Sequence, residues 1–260
     1  MTHPIDLPLS DPTMGFDDPI SAVIIGARGG IGQALSDRLM SLPACQSVVR
    51  TSRDSAWASH SPSIKERRFC VDLTQPETVR DLGLFVDAEA PQPNLIINCS
   101  GLLHDGVIQP ERTFRHINRQ AMLRHFDVHA CGLALLVQHL IPLIPRRGRA
   151  IFATLSARVG SIEDNGLGGW FSYRASKAAQ NMILKTASIE AARRWPDLAL
   201  LALHPGTVDT ALSKPFTKRT PADRLFQPHV AAAHLSRVIS QKTSSETGGF
   251  FAWDGSPIPW

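Results

Sequence analysis

The sequence predicts an α/β domain in which a doubly wound parallel sheet carries helices on both faces. Short β-like runs alternate with helical patterns along the chain. The β-like runs are residues 21–25, 47–51, 68–71, 94–99, 150–155 and 198–203, and the helical patterns are residues 34–40, 76–88, 113–144 and 173–195. Because strands separated by helices have to be joined by crossovers, this alternation favours parallel pairing. A glycine-rich turn directly after the first run is the second indication.

Size and composition fit one globular domain. The chain has 260 residues, of which 43% are hydrophobic and 19% are charged, enough for a single filled core. Residues 1–19 are rich in proline and aspartate without a basic or amphipathic pattern, so we expect a mobile tail before a domain at residues 20–260. The apolar stretch 133–145 contains Gln138 and Pro142 and is too short to span a membrane. We therefore expect a cytoplasmic protein that contacts no membrane.

Cysteine usage and charge argue against several other classes. The four cysteines form no pairwise motif, so buried reduced thiols are expected rather than disulfides or a metal site. They are Cys45, Cys70, Cys99 and Cys131. The net charge of +4 is small and most basic residues are dispersed, which argues against a nucleic-acid partner.

The first β-like run leads into a turn that is suited to binding a dinucleotide. Backbone N–H groups at a helix N-terminus can hold a pyrophosphate, and glycines let the chain turn tightly and approach the ligand closely. A strand, a glycine turn and a helix start in this order predict a Rossmann-like fold. The candidate cofactor contacts in this turn are Gly26, Arg28, Gly29, Gly30, Ile31 and Gly32.

The second run ends at Ser52 and Arg53. An acidic residue at this point would bind the ribose 2′-hydroxyl of NAD. Here Arg53, together with Arg28 in the glycine turn, is placed to bind a 2′-phosphate through charge-assisted hydrogen bonds. The pattern therefore favours NADP(H), while the neighbouring Asp54 keeps NAD(H) as the alternative.

The ends of later strands carry further candidate contacts with the cofactor, because ligands of such sheets lie beyond the carboxyl ends of the strands. Asp72 and Leu73 follow the third run and are expected to meet the adenine. Asn98, Ser100 and Gly101 follow the fourth run and supply polar groups and a close backbone approach. A rigid turn after the sixth run is suited to contacts with a carboxamide and contains Pro205, Gly206, Val208 and Thr210.

The only tyrosine of the chain, Tyr173, lies four residues before Lys177 in a helical pattern. Positions i and i+4 share one face of a helix, so the phenol and the ammonium can address the same volume. A phenol has an ordinary pKa of about 10, and a neighbouring cation is expected to lower it toward a value that suits a general acid or base. An ordinary surface pair is the alternative.

Taken in order, these residues resemble the short-chain dehydrogenase/reductase family from about residue 21 to the C-terminus. The family pattern is met by Gly26, Gly30, Gly32, Asp72, Asn98, Gly101, Tyr173, Lys177, Pro205, Gly206 and Thr210. Residues 156–162 and 168–174 look like the branch that contains C-factor signalling proteins and sniffer-type carbonyl reductases. The resemblance implies hydride transfer between a nicotinamide and a carbonyl or alcohol, with Tyr173 as proton donor or acceptor. It also implies that Lys177 lowers the Tyr173 pKa and binds the nicotinamide ribose.

Two positions depart from the family pattern. The catalytic serine usually lies three residues before a glycine, where this chain has Ala157. We expect Ser156 to contact the substrate instead, although neighbouring strand residues point to opposite faces and the backbone would have to bend. His129 stands where the family has an asparagine of the proton relay. It could serve a relay, but a satisfied core histidine is the interpretation we favour.

The substrate class and assembly follow from coarser features. Residues 102–106, 161–170 and 211–225 are expected to line the substrate pocket, and they favour an uncharged, fairly apolar carbonyl or alcohol compound. By resemblance, helices 113–144 and 173–195 would pair with a second copy to give a homodimer or homotetramer. A catalytically weak cofactor-binding protein in signalling or a structural role is the competing hypothesis, and a dehydratase or epimerase is a second enzymatic option.

Overall fold

A computed structural model describes residues 12–60, 63–90, 92–218 and 220–260, and shows a seven-stranded parallel sheet. Its strands are β1 (Ile20–Ile25), β2 (Cys45–Ser52), β3 (Glu66–Cys70), β4 (Leu95–Asn98), β5 (Ala150–Leu155), β6 (Leu198–His204) and β9 (Gly249–Ala252). They lie in the order β3-β2-β1-β4-β5-β6-β9. Two short strands, β7 (Thr207–Val208) and β8 (Leu225–Phe226), pair separately. The strand order changes direction between β1 and β4, which is where ligands bind in such sheets.

Helices cover both faces of this sheet. They are α1 (Gly30–Ser41), α2 (Ser55–Ala58), α3 (Pro76–Glu89), α4 (Arg119–Phe126), α5 (Gly132–Leu140), α6 (Phe171–Ala191) and α7 (Pro228–Gln241). Alternate strand residues enter two separate cores: Val23 and Ile25 belong to one, and Ala22 and Ile24 to the other. Strands buried on both faces appear as continuous apolar runs. The predicted doubly wound α/β sheet is confirmed.

The long helix expected at residues 113–144 is divided into several segments. Asn118 caps α4 by accepting a hydrogen bond from the Ala121 N–H at 3.1 Å. A π-helical turn, Asp127–Cys131, separates α4 from α5, and the 3₁₀ turn Ile141–Leu143 ends the run. The helical run 119–143 is long and apolar enough to cross a membrane by length and composition alone. Leu133, Leu136 and Leu140 of this run are nevertheless in the protein core.

Five of these helices and strands have no counterpart among the predicted ones: α2, α7, β9 and the two-residue strands β7 and β8. Helix α2 has four residues, too few for a periodic pattern. Helix α7 begins at Pro228, a residue favoured at the first helical position. Strand β9 has only four residues and becomes recognisable through its pairing with β6. Its identity as a strand therefore depends on a partner that is distant in sequence.

The packed domain begins earlier than the predicted boundary at residue 20. Met14 and Phe16 are 1% and 4% exposed and belong to the core that contains β1. The guanidinium carbon of Arg149 lies 5.3 Å from the centre of the Phe16 ring. Residues 12–19 therefore include core contacts, and the remainder of the expected mobile tail, residues 1–11, lies outside the described residues.

All four cysteines are free thiols. Cys45 is buried and Cys99 is half-buried, whereas Cys70 and Cys131 are exposed. The expectation of buried thiols is therefore wrong for Cys70 and Cys131. Cys70 ends an edge strand and Cys131 lies in the π-helical turn, and neither position faces the core.

Candidate active site

A cleft of about 700 Å³ opens at the carboxyl ends of β1 to β4. Nine of the predicted cofactor residues line it: Gly26, Arg28, Gly29, Ser52, Arg53, Asp72, Leu73, Ser100 and Gly101. The cleft also contains residues that the sequence interpretation did not assign to it, among them Thr51, Val71, Cys99, Leu102 and Val128. These belong to the same strand ends and the adjoining π turn, so a fuller use of the strand-end rule would have found most of them.

The glycine turn presents bare backbone to this cleft. Gly26 has φ +74°, and a Cβ there would lie 3.1 Å from the Ser100 nitrogen. A Cβ on Gly32 would lie 2.5 Å from the Gly26 carbonyl oxygen. Helix α1 starts at this turn, and its N-cap, Gly29, offers no side-chain hydrogen bond. The first turn of α1 therefore keeps its N–H groups available for an anion. We call the glycine turn, residues 26–32, the glycine cradle, and it fits a dinucleotide pyrophosphate.

The turn after β6 comes close to the glycine turn. A Cβ on Gly30 would lie 2.9 Å from the Thr210 methyl carbon. Gly206 has φ +80°, and a Cβ there would lie 2.7 Å from the Phe226 ring. Val208 is buried and pairs with Phe226 in the two-stranded sheet. The structure thus brings Thr210 to the cradle, whereas the sharp turn at Gly206 is packed against aromatic rings.

An ion pair crosses the edge of the cleft between the glycine turn and the end of β2. Arg28 binds the carboxylate of Asp54. Asp54 also caps α2 by accepting the Trp57 N–H at 3.1 Å, and its own N–H donates to the Ser52 hydroxyl at 3.1 Å. Arg53 is exposed on the cleft wall. The two predicted arginines therefore lie at one cleft, and Asp54, which directly follows Arg53, is bound to Arg28.

Asn98 is occupied by protein contacts. It is 2% exposed, and its amide nitrogen donates to the Thr154 hydroxyl at 3.1 Å. Its oxygen accepts hydrogen bonds from the N–H and the hydroxyl of Ser100 at 3.1 and 2.5 Å. The Asp72 carboxylate likewise binds the N–H and hydroxyl of Thr74, at 3.0 and 2.8 Å. Both side chains hold the loops that form the cleft wall.

Tyr173 and Lys177 lie on one face of α6, 7% and 3% exposed. The Lys177 Nζ is 5.9 Å from the centre of the tyrosine ring. It donates hydrogen bonds to the Leu155 carbonyl at 3.0 Å and to the Gln180 side-chain oxygen at 2.9 Å. Among the described residues, no hydrogen-bond partner is found for the Tyr173 hydroxyl. The lysine is held by two neutral oxygens, one at the end of β5 and one on α6, and the phenol retains its hydrogen-bonding capacity.

Burial decides the ionisation of both groups. It raises the pKa of Tyr173 well above its ordinary value and lowers the pKa of Lys177 to about 7. The expected net lowering of the Tyr173 pKa is therefore wrong, because desolvation of the phenolate outweighs attraction by Lys177, which is itself partly neutral. Tyr173 is a neutral phenol at neutral pH, the form that donates a proton.

His129 is a satisfied core histidine in this structure. It is 2% exposed, and its Nε2 accepts the Leu102 N–H at 3.0 Å. Its Nδ1 donates to the Ser176 hydroxyl at 2.8 Å, and Ser176 donates to the Tyr173 carbonyl at 2.9 Å. Burial and the nearby Lys177 hold the pKa of His129 well below its usual value. The neutral ring connects the π turn both to the loop after β4 and to α6.

The Ser156 hydroxyl is committed to helix α6. It donates to the Asn181 side-chain oxygen at 2.7 Å. Asn181 lies eight residues after Tyr173, about 12 Å along the helix axis. The Ser156 N–H still bonds to the Leu203 carbonyl at 2.8 Å, so β-type pairing extends through this residue. The backbone bend that would turn Ser156 toward the substrate does not occur before Ala157, and the geometry supports a packing role for this serine.

Rings from three distant segments meet beside Tyr173. The ring centre of Trp170 lies 6.1 Å from that of Tyr173 and 5.1 Å from that of Phe216. His104 lies 5.6 Å from Phe216. His104, Trp170 and Phe216 each come from one of the three segments expected to line the substrate pocket. The structure brings those segments together, and the wall they form is aromatic.

Comparisons with known proteins give a consistent result. The family model for short chain dehydrogenases matches residues 21–221. The 1-hydroxy-2-glutathionyl-2-methyl-3-butene dehydrogenase of Rhodococcus sp. (strain AD45) is 27% identical over 191 residues, which cover 73% of this chain and 78% of that protein. The C-signal of Myxococcus xanthus is 29% identical over 139 residues, covering 54% of this chain and 78% of that protein.

Solved structures share the fold. Carbonyl reductase Sniffer of D. melanogaster superimposes with a TM-score of 0.79 at 21% identity, covering 92% of this chain and 99% of that one. The NADPH-bound carbonyl reductase from chicken fatty liver superimposes with a TM-score of 0.80 at 23% identity, covering 94% and 100%. The likeness extends over nearly the whole of each chain.

Proposed function

This chain belongs to the short-chain dehydrogenase family, and from that premise we propose that it is an NADP(H)-preferring oxidoreductase acting on a carbonyl or alcohol substrate. Tyr173 is the proton donor or acceptor, and Lys177 assists it. The observation that carries the proposal is the buried Tyr173–Lys177 pair. The His129 ring, whose centre is 5.4 Å from that of Tyr173, connects this pair to Leu102 in the wall of the cleft that contains the glycine turn. A structural helix would have no need to bury a phenol and an amine on one face.

The cofactor would be held by the chain's own groups along the cleft. The glycine turn and the first turn of α1 bind the pyrophosphate, and Arg53 and Arg28 bind the 2′-phosphate of NADP(H). Arg28 has to exchange its partner Asp54 for that phosphate. The NADPH bound to the similar chicken carbonyl reductase supports this preference. When bound, the nicotinamide supplies or accepts the hydride.

The remaining chemistry belongs to α6 and its neighbours. In the reductive direction the neutral Tyr173 phenol donates its proton to the substrate oxygen. Lys177, with a pKa of about 7, stabilises the resulting phenolate when it is protonated. The Leu155 carbonyl and Gln180 orient its amine. The Trp170 ring contacts both Tyr173 and Phe216 and so forms an apolar surface beside the reacting phenol.

The proposal extends to the kind of substrate, the cellular location and the oligomeric state of the protein. The aromatic wall suits an uncharged, fairly apolar compound, and a cytoplasmic location suits an enzyme with four free thiols. Leu123 on α4 and Met182 and Ile189 on α6 are 45%, 66% and 57% exposed. This apolar surface supports pairing of two copies through these helices, as a homodimer or homotetramer.

The experiment that tests the proposal separates binding from turnover. NADPH fluorescence on mixing with protein reports binding, and its decay on adding aldehydes and ketones reports reduction. Tyr173→Phe removes only the phenolic oxygen, so it should bind NADPH like the wild type and lose carbonyl reduction. Near-normal turnover in Tyr173→Phe would exclude a tyrosine-dependent oxidoreductase.

One observation favours a second candidate, a catalytically weak cofactor-binding protein. Ala157 occupies the usual serine position, and the Ser156 hydroxyl is bound to Asn181. A hydroxyl that steadies the substrate oxygen is thus missing at its usual place. NADPH binding without turnover across the carbonyl panel would favour this candidate.

A further inference from the structure

Three consecutive residues before α6 have a left-handed backbone. Gly168, Gly169 and Trp170 have φ values of +64°, +67° and +52°. Glycine adopts this conformation readily, whereas a bulky residue such as tryptophan rarely does. Trp170 also occupies the N-cap of α6, where it makes no side-chain capping bond. Backbone strain of this kind persists where surrounding contacts enforce it, and it concentrates at functional sites. We name residues 168–170 the Trp170 elbow.

Glu111 enforces the elbow from one side. Its backbone carbonyl accepts the Trp170 N–H at 2.6 Å. Its carboxylate, on a residue that is only 4% exposed, binds the Ser172 N–H at 3.2 Å and the Ser172 hydroxyl. Glu111 therefore supplies the cap that Trp170 does not, and it fixes the backbone on both sides of the indole.

Arg174 enforces the elbow from the other side. Its guanidinium donates to the carbonyls of Gly169 at 3.0 Å, Gly168 at 3.1 Å and Val159 at 3.3 Å. Three bonds from one planar group fix the direction in which the chain enters α6. The charged groups of Glu111 and Arg174 are thus bound to the backbone and to Ser172 around the elbow.

Trp170 is the accessible ring beside Tyr173. Three rings have their centres within about 6 Å of the tyrosine ring: His129 at 5.4 Å, His125 at 6.0 Å and Trp170 at 6.1 Å. His125 and His129 are 0% and 2% exposed, and their ring nitrogens face backbone groups and Ser176. Trp170 is half-buried. A substrate that presents its oxygen to the Tyr173 hydroxyl therefore meets the indole.

We infer that Trp170 is a specificity-determining residue, held in its strained elbow by Glu111 and Arg174, that selects substrates whose carbonyl carbon is attached to a planar aromatic ring. The inference rests on the proposed function, since it assumes that the carbonyl reacts at Tyr173. An aromatic substituent gains offset-stacked or edge-to-face contacts with the indole that a saturated ring of equal carbon number does not.

The test compares benzaldehyde with cyclohexanecarbaldehyde under NADPH. The kcat/KM ratio of benzaldehyde to cyclohexanecarbaldehyde should be about three- to tenfold higher in the wild type than in Trp170→Gly. Glycine accepts the positive φ, so only the indole is lost, and the intrinsic reactivity of the two aldehydes cancels in this comparison. Trp195→Phe is the matched control and should retain the wild-type ratio, since Trp195 bonds to the Ile144 carbonyl away from this wall. Urea unfolding verifies that each variant is folded.

A second measurement separates this inference from the proposed function. Benzamide is planar and is not reduced, and its binding is followed by titration calorimetry with the full chain. Binding should weaken about three- to tenfold in Trp170→Gly and stay unchanged in Trp195→Phe. If neither aldehyde is reduced, the wider panel of aldehydes and ketones decides the proposed function, and benzamide binding alone decides whether Trp170 forms an aromatic binding surface. An unchanged aldehyde ratio in Trp170→Gly, or benzamide binding that is indifferent to Trp170, would overturn the inference.

Discussion

At the scale of single residues, burial affects the pKa values of Tyr173 and Lys177 more than their four-residue spacing does. Their separation of four positions predicts contact on one helix face, and both side chains do lie there. Burial nevertheless raises the pKa of the phenol and lowers that of the amine to about 7. A cation stabilises a neighbouring phenolate only while it is charged. The protonation of Lys177 therefore controls how readily Tyr173 gives up its proton.

The roles of Ser156 and Ala157 can also be tested by single substitutions. Ser156→Ala should leave turnover within a few-fold and lower the free energy of unfolding by about 1 to 3 kcal/mol, because the Asn181 oxygen loses its buried donor. Ala157→Ser should raise kcat/KM by up to about a hundredfold, the scale of one donor to a substrate oxygen. Steady-state kinetics and urea unfolding measure the two effects. A hundredfold loss of turnover in Ser156→Ala with unchanged stability would restore Ser156 as the catalytic serine.

At the scale of elements, each segment of the site is held by a group from another segment. Glu111 caps α6 across 61 sequence positions. His129 in the π turn binds the loop after β4 and, through Ser176, the backbone of Tyr173. Such connections place loops on a rigid scaffold, where catalytic geometry is best maintained.

The contact between the glycine turn and the end of β2 leads to a prediction about cofactor choice. Asp54→Asn should raise the affinity for NADPH about three- to tenfold, since Arg28 no longer has a carboxylate as its partner. Asparagine can still accept the Trp57 N–H and so preserves the cap of α2. Arg53→Ala should weaken NADPH binding and leave NADH binding unchanged.

Fluorescence titration of both cofactors into wild type, Asp54→Asn and Arg53→Ala measures these affinities for NADPH and NADH. The double variant with both Asp54→Asn and Arg53→Ala separates the contributions of the two arginines to NADPH affinity, because of these two side chains it retains only Arg28. Equal affinity of the wild type for NADH and NADPH would exclude selection of the 2′-phosphate by these side chains.

At the scale of the whole molecule, the buried Lys177 connects catalysis to stability. Its pKa of about 7 in the folded protein lies below the ordinary value of 10.5 that it regains on unfolding. Between these values the unfolded chain binds more protons, so folding stability rises with pH. The free energy of unfolding of the wild type, relative to Lys177→Met, should therefore increase by about 2 kcal/mol from pH 7 to pH 9.

Urea unfolding at half-unit steps of pH measures that difference. Subtracting the methionine variant removes the contributions of other groups, including Cys99, whose pKa of about 12 acts in the opposite direction above pH 9. A pH-independent difference would mean that Lys177 keeps an ordinary pKa in the folded protein and remains charged at neutral pH.

The fold and the cofactor cleft could be predicted because their signals are local. Continuous apolar runs, helical periodicity and a glycine turn each occupy one short stretch, and the rule about strand ends then places nine predicted residues in one cleft. Strand β9 was missed because a short strand gains its identity from its neighbour. Helix α7 was missed although its buried Ala231, Leu235, Val238 and Ile239 recur at helical spacing. The division of the long helix depends on the cap at Asn118 and on the π turn.

The sequence by itself determined the α/β class, the cradle and the Tyr173–Lys177 pair, since backbone conformation and helix spacing follow from residues that are close in the chain. Only the tertiary structure decided the partner of Arg28, the commitment of Ser156 to Asn181 and the ionisation of Lys177. It also decided that Trp170 stands beside Tyr173 in a strained elbow. These properties depend on burial and on contacts between distant segments, which local patterns do not specify.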